Sequence, residues 1–384
     1  MSGTLLLQEP IYVVGIGIDP YSFASDRPFP QLGLPAVRDA LTDASVEWSD
    51  VPTAYVGTAS LGMATGRVML QHLGSHGQSV VQVESASASG SAALRMATLD
   101  LAAGVSDTAL VLGIDKFGKG HRAFDGEGSP RLSPVDGNPA IHFALMAETY
   151  LAERGEGPEA MAAVAVKNHG NASLNPFAQF RKPRTLEQVL ASPPVAGALT
   201  VQQCCPRGEG AAAVILMSES AVARHGLDRS RLVRVRATGA TSELPTQTDV
   251  DPAIELIARS TAEVLDAAGI AASDLDMVEL HDAFSVEELL YTEAMGLCEP
   301  GAGARWLRDG HSQIGGTCAV NASGGLIGMG HPLGPTGVGQ VAEITRQMRG
   351  EAEGRQHPNT RLGLAHMIGL GGVSFAHVLE KTSG

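Results

Sequence analysis

Short apolar runs alternate with stretches of helical periodicity along nearly the whole chain, and this alternation is the strongest constraint on its fold. Ile11–Val14, Ala54–Val56, Val80–Val83 and Ala109–Leu112 have the length and content of buried strands. Leu34–Ala44 and Ser91–Ala103 read as the helices between them, and the run Ala211–Leu216 closes a first half. Leu232–Thr238, Pro252–Ala268, Met277–Leu280 and Ser285–Met295 then repeat strand, helix, strand, helix. Strands separated by helices imply α/β layers with mixed, mainly parallel sheets. The repeated alternation hints at duplication, with halves at 1–229 and 230–384. From about 115 to 201 the pattern loosens into an inserted loop region, where one helix, about Glu159–His169, is legible. Loops of that length in a compact enzyme usually serve function or cover something.

Composition narrows the partners. The 384 residues include 46 Gly but only 2 Trp, 5 Tyr and 9 Phe, within a hydrophobic content of 44%. The core is therefore built mainly from Ala, Val and Leu, which let helices and sheets approach closely. A formal charge of −14 argues against nucleic-acid or anionic-membrane surfaces, which need clustered positive charge. No apolar run reaches the roughly 20 residues of a spanning helix, and the N-terminus lacks a basic leader, so a cytoplasmic protein is expected. Cys204, Cys205, Cys298 and Cys318 are too few for a disulfide framework and lack the paired spacing of a zinc site, so neither a metal nor a resident cofactor is expected.

Three islands have the residue types that chemistry needs. Val83-Glu-Ser-Ala-Ser-Ala-Ser-Gly-Ser-Ala-Ala-Leu94 lies between a buried strand and a buried helix. A side chain there sits at a helix N-terminus, where free amides favour developing negative charge, although Ser is also an ordinary cap. Glu279-Leu-His-Asp-Ala-Phe-Ser285 sets His281 beside Asp282 at another strand end, as a polariser, a base or a structural imidazole. Asn321 opens a loop running to Gly337, in which six glycines surround His331.

Together these islands resemble the thiolase superfamily. G-H-P-x-G-x-T-G after N-x-S-G-G is similar to its C-terminal active-site loop. H-D-A-F and V-E-S-A-S-A-S-G resemble the H-D-C-F and V-E-x-x-C-A-S-G elements of the lipid-transfer-protein (sterol-carrier-protein-type) branch. Val166-Lys-Asn-His169, the segment 175–183, Gly208-Glu-Gly-Ala-Ala-Ala213 and the tail His366-Met-Ile-Gly-Leu-Gly-Gly372 are similar too, so the resemblance spans essentially the whole chain. It implies a duplicated α-β-α-β-α thiolase fold, a homodimer or homotetramer, and an acyl-CoA thioester substrate with coenzyme A as carrier. It also implies that His331 activates the nucleophile and that His281 helps hold an oxyanion hole supported by Asn321. Gly369 would supply an amide to a second hole.

The sequence departs from that pattern at both thiols. The nucleophile position is Ser87 and the acid/base position is Ala283, while Met367-Ile-Gly369 stands where other thiolases have C-x-G. None of the four cysteines falls in a catalytic motif. A serine needs its proton removed during attack, and His281, His366 or a water would have to replace the acid/base thiol. Three readings follow: a Ser87-dependent acyltransferase; a retro-aldolase or decarboxylase that forms no acyl-enzyme, as in relatives working with a small zinc-ribbon/OB-fold partner; and a non-catalytic acyl-CoA-binding subunit. Arg181, Lys182 and Arg184 form a basic cluster able to pair with CoA phosphates, or simply a solvated loop.

Overall fold

The computed structural model describes residues 5–117, 139–244 and 251–382. Its strands are β1 (Leu5–Ser22), β2 (Thr53–Gly57), β3 (Ser79–Val83), β4 (Thr108–Asp115), β5 (Pro194–Ala196), β6 (Leu199–Thr200), β7 (Glu209–Ser218), β8 (Val233–Ser242), β9 (Met277–Glu279), β10 (Ala319–Val320), β11 (Leu362–Gly369) and β12 (Val373–Lys381). The helices are α1 (Pro30–Ala44), α2 (Thr65–Leu70), α3 (Ser89–Ala102), α4 (Pro139–Arg154), α5 (Glu159–Ser173), α6 (Leu186–Leu190), α7 (Glu219–His225), α8 (Pro252–Ala268), α9 (Ser285–Ala294), α10 (Gly303–Arg308), α11 (Gly325–Met329) and α12 (Leu333–Arg349).

Ten strands form one sheet in the order β10-β9-β11-β12-β8-β1-β7-β4-β2-β3. Read outward from the antiparallel β1–β8 seam, both ends have the same plan. β7 and β4 follow β1 antiparallel, and β2 and β3 continue parallel. On the other side β12 and β11 are antiparallel, then β9 and β10 parallel. This mirrored order is the duplication that the sequence only hinted at.

Alternate residues along the strands feed different cores, as a period of two requires. Val111, Val214 and Leu216 face one cluster, while Leu110, Leu112, Ile215 and Met217 face another packed on α1. In the second half, Met277 and Ala365 share the first cluster, whereas Val278, Leu364 and Val378 turn toward α8. The shared cluster also holds Ala93 and Ala97 of α3 and Val338, Val341 and Ile344 of α12, so these two helices lie between the half-sheets. α12 is buried continuously from Gly334 to Thr345, so its polar stripe of Thr336, Gln340, Glu343 and Gln347 lies inside the protein rather than in solvent. In the inserted region, α4 and α6 appear beside the expected α5, and part of the region (118–138) lies outside the described residues. Among the described residues no helix is long and apolar enough to cross a membrane.

Small residues set the layer spacing. A Cβ on Gly17 of β1 would lie 2.1 Å from the carbonyl oxygen of Ala36 in α1, a backbone atom that cannot step aside. Gly17→Ala is expected to cost about 1–3 kcal/mol through overpacking. Gly62→Ala, whose Cβ meets nothing within 4 Å, should stay within about 0.5 kcal/mol of the parent protein. Urea denaturation of the two variants measures the contrast, and equal midpoints would refute this account of the spacing.

Candidate functional site

Ser87 stands on a strained turn between β3 and α3. Ala86 just before it has φ +49, a left-handed conformation that costs a residue with a Cβ about 1–2 kcal/mol. Ser89 holds the turn: its Oγ accepts from the Ser85 amide at 2.9 Å and donates to the Ala86 carbonyl at 2.7 Å. This leaves Ser87, half-buried, in the single 3-10 turn leading into α3, at the positive end of that helix.

His331 meets it from far away in sequence. Its Nε2 lies 3.1 Å from Ser87 Oγ, and its Nδ1 lies 2.9 Å from Thr336 Oγ1. The direction of these bonds follows from proton counting. Thr336 has one hydroxyl proton and donates it to the Pro332 carbonyl at 2.7 Å. Nδ1 must therefore carry the hydrogen it shares with Thr336, which leaves Nε2 as an acceptor facing the Ser87 hydroxyl. Burial, then the nearby His281, holds the His331 imidazole well below its usual pKa. It is a neutral base aimed at a hydroxyl, the first two members of a serine–histidine arrangement.

The close approach rests on α12. Cβ atoms on Gly90 and Gly113 would lie 2.2 and 2.3 Å from the Gly334 carbonyl, so only glycine lets α3 and β4 touch the first turn of α12. Asp115 at the end of β4 completes the clamp. Its carboxylate accepts from the Gly334 amide at 2.5 Å, Thr58 Oγ1 at 2.7 Å and the Ser60 amide at 2.8 Å.

His281 arrives from the end of β9, its ring 5.5 Å from that of His331 and nearly perpendicular to it. Nδ1 donates to Glu287 Oε1 at 2.8 Å, while the other carboxylate oxygen accepts the Phe284 amide. Tyr291 also donates to Glu287. Nε2 makes no hydrogen bond among the described residues, although His281 is only 5% exposed. Behind this loop, the buried Lys167 ammonium pairs with Glu288 at 3.0 Å, and Asn168 donates to both Asp282 and Glu288. Glu279, pushed up to about 8 mainly by burial, receives the Ser323 amide and hydroxyl.

The other expected residues have different surroundings. Asn321, at φ +54, uses its side chain to accept the Leu280 amide and to reach Glu288, so it braces the loop. Gly369 ends β11 against the Ser87 turn, where a Cβ would stand 2.4 Å from the Ser85 carbonyl. His366 is sealed: it is fully buried, its Nε2 bonds to Ser374, and burial lowers its pKa to about 3. Arg181 and Lys182 are exposed. They follow Gln179 and Phe180, whose amides bind the Met329 and Gly328 carbonyls just before His331. The side-chain amide of Gln179 also ties that segment to the Arg207 carbonyl. Ala283 presents only a methyl beside Phe284. Sequence reasoning missed Thr336, Glu287 and Asp115; the first lies inside the quoted G-H-P loop, where its spacing from His331 was the available signal. Among the described residues no group of three His, Cys, Asp or Glu is placed to hold a metal.

Residues 238–381 match the family model described as thiolase C-terminal domain-like. Sterol carrier protein 2 from Homo sapiens is 34% identical over 94% of this chain and 70% of its own length. Benzoylsuccinyl-CoA thiolase subunit BbsB from Thauera aromatica is 34% identical over 95% of this chain and 96% of its own. Among solved structures, the Ltp2-ChsH2(DUF35) aldolase superposes with a TM-score of 0.83 at 24% identity, covering 98% of this chain and 99% of that one.

The tautomer argument has a direct test. Thr336→Val removes the acceptor for Nδ1–H and is expected to slow any reaction of Ser87 by about 10–100-fold, within the scale of general-base assistance. Because only protonation of His331 would silence it and its pKa lies well below 6.5, the reaction should stay flat from pH 8 to pH 6. A decline centred near pH 6.5 in the pH–rate profile would contradict the buried neutral base.

Proposed function

The chain belongs to the thiolase superfamily, and we propose that it is an acyltransferase working on acyl-CoA or 3-ketoacyl-CoA thioesters through an acyl ester on Ser87. The observation that carries this reading is the Ser87–His331–Thr336 chain, with Nε2 at 3.1 Å and unprotonated. Ser87 Oγ attacks the acyl carbonyl as its proton passes to His331 Nε2. The positive end of α3 and the amides of its entry turn favour the negative charge that builds on the carbonyl oxygen. The His281 ring, held through Nδ1 by Glu287, lines the same site beside His331.

CoA binding is placed at Arg181 and Lys182, with Arg184 nearby. Their segment is bonded directly to the strand of backbone leading into His331, and neither Arg181 nor Lys182 has an ion pair among the described residues. BbsB is named as a subunit and Ltp2 is named together with ChsH2, which supports a reading in which this chain also works beside a small partner protein.

Incubation with acetyl-CoA, followed by intact-protein and peptide mass analysis, is expected to find one acetyl group on Ser87 and none in Ser87→Ala. Turnover without an adduct, surviving in Ser87→Ala, would replace the ester reading with enolate chemistry such as retro-aldol cleavage. The double variant Arg181→Ala/Lys182→Ala is expected to weaken acyl-CoA binding by about tenfold or more and to flatten its salt dependence, since charge-assisted phosphate contacts are each worth roughly 1.5–3 kcal/mol before solvent screening. Unchanged affinity by calorimetry across salt concentrations would remove the cluster from the site.

A further inference from the structure

We propose that Cys205 supplies the proton-transferring thiol that position 283 lacks, carried into the site on the segment that runs between Ala283 and His331. The proposal rests on the thioester chemistry put forward above.

That segment is fixed at both ends. Cys204 forms an antiparallel bridge with Phe284, and the Cys205 amide donates to the Ala283 carbonyl at 2.7 Å. Two residues further on, Arg207 forms a parallel bridge with His331 itself. Opposed residues of an antiparallel pair project to the same face, and successive pairs alternate between faces. Cys204 and Phe284 therefore share one face, and Cys205 and Ala283 share the other. Directly opposed Cβ atoms stand about 4.5–5.5 Å apart. The thiol of Cys205 is thus the neighbour of the Ala283 methyl, displaced by one strand from the position the sequence motif assigns to an acid/base cysteine.

The surroundings agree. Cys205 remains partly exposed as a residue, while burial first, and then Glu287, Cys204 and Asp282, push its thiol well above its usual pKa. Glu287 is the partner of His281, so thiol and imidazole share one carboxylate neighbourhood. His281 itself is more than nine-tenths buried, its Nδ1 is committed to Glu287, and its Nε2 makes no hydrogen bond among the described residues. Cys204 differs, because its sulfur already donates to the Thr200 carbonyl at 3.3 Å.

In thiolytic cleavage the protons balance as follows. Ser87 Oγ bonds to C3 of the 3-ketoacyl-CoA, and His331 Nε2 takes the hydroxyl proton. The C2–C3 bond breaks, its electron pair forms the enolate of the departing acyl-CoA, and the Cys205 S–H gives its proton to C2. A CoA thiol then gives its proton to the Cys205 thiolate and attacks the acyl ester. Ser87 Oγ leaves with the electron pair of the ester bond and recovers its proton from His331. Both residues return to their starting forms, and no other reactant is consumed.

The reverse of the C2 protonation gives a test independent of the ester. In D2O the intact protein is expected to exchange the methyl protons of acetyl-CoA for deuterium, read by mass spectrometry, faster as pH rises because the thiolate is the base. Cys205→Ala should slow exchange by about 100-fold or more, and Cys205→Ala/Ala283→Cys should restore much of it by returning a thiol to the opposed position. Thermal melting and acetyl-CoA affinity establish that each variant is folded. No exchange by the intact protein, or exchange unaltered in folded Cys205→Ala, overturns the proposal. An acetyl adduct on Ser87 together with Cys205-independent exchange rejects the Cys205 role alone. Cys205-dependent exchange without any Ser87 adduct rejects the ester reading alone.

Discussion

The approach of the Gly334 carbonyl to Gly90 and Gly113 is the contact on which the site depends. Ser87 and His331 lie 244 residues apart, and a hydroxyl–imidazole bond over that separation requires two helices from different halves to be locked together. Side chains at 90 or 113 would each force the first turn of α12 away, since the opposing atom is backbone. Asp115 adds the polar half of the lock by binding the Gly334 amide. Van der Waals exclusion thus sets the distance, and one buried carboxylate sets the orientation.

Around that lock the protein buries unusual amounts of polarity. Lys167, Glu288, Asn168 and Asp282 form a closed group under the His281 loop. Removing charges from water costs several kcal/mol per ion, so such a group adds little net stability. Its value lies in geometry: every donor and acceptor it satisfies fixes the loop that carries His281 and Ala283. Removing one partner would leave a buried charge uncompensated, which is why local loss there reaches the site.

Element boundaries were legible where local chemistry marked them. α8 begins and ends where the sequence implied, because Asp251 caps it, Pro252 fills the first helical position and Gly269 adopts the left-handed turn after it. β1 runs from Leu5 to Ser22, beyond the Ile11–Val14 run that the sequence marks, because its glycines and the Gln8-Glu9-Pro10 segment, where the ladder to β8 shifts register, break the apolar run. α4 was not anticipated: its exposed Ile141 and Leu145 blur the stripe that would mark a surface helix. β3 is mostly exposed and reads as a strand only from its Val content, since it is an outer strand of the sheet.

By itself the sequence determined the alternation that makes an α/β layered fold, the thiolase resemblance, and the identity of the residues at the motif positions, including the absence of cysteine at 87 and 283. Motifs are local, so they carry residue types and turn chemistry but no distances between segments. Only the tertiary structure decided that Thr336 fixes the tautomer of His331 and that His366 is sealed away from solvent. It also brought Cys205, silent as a motif, opposite Ala283. Strand pairing is a long-range interaction whose register is set by the whole packed assembly.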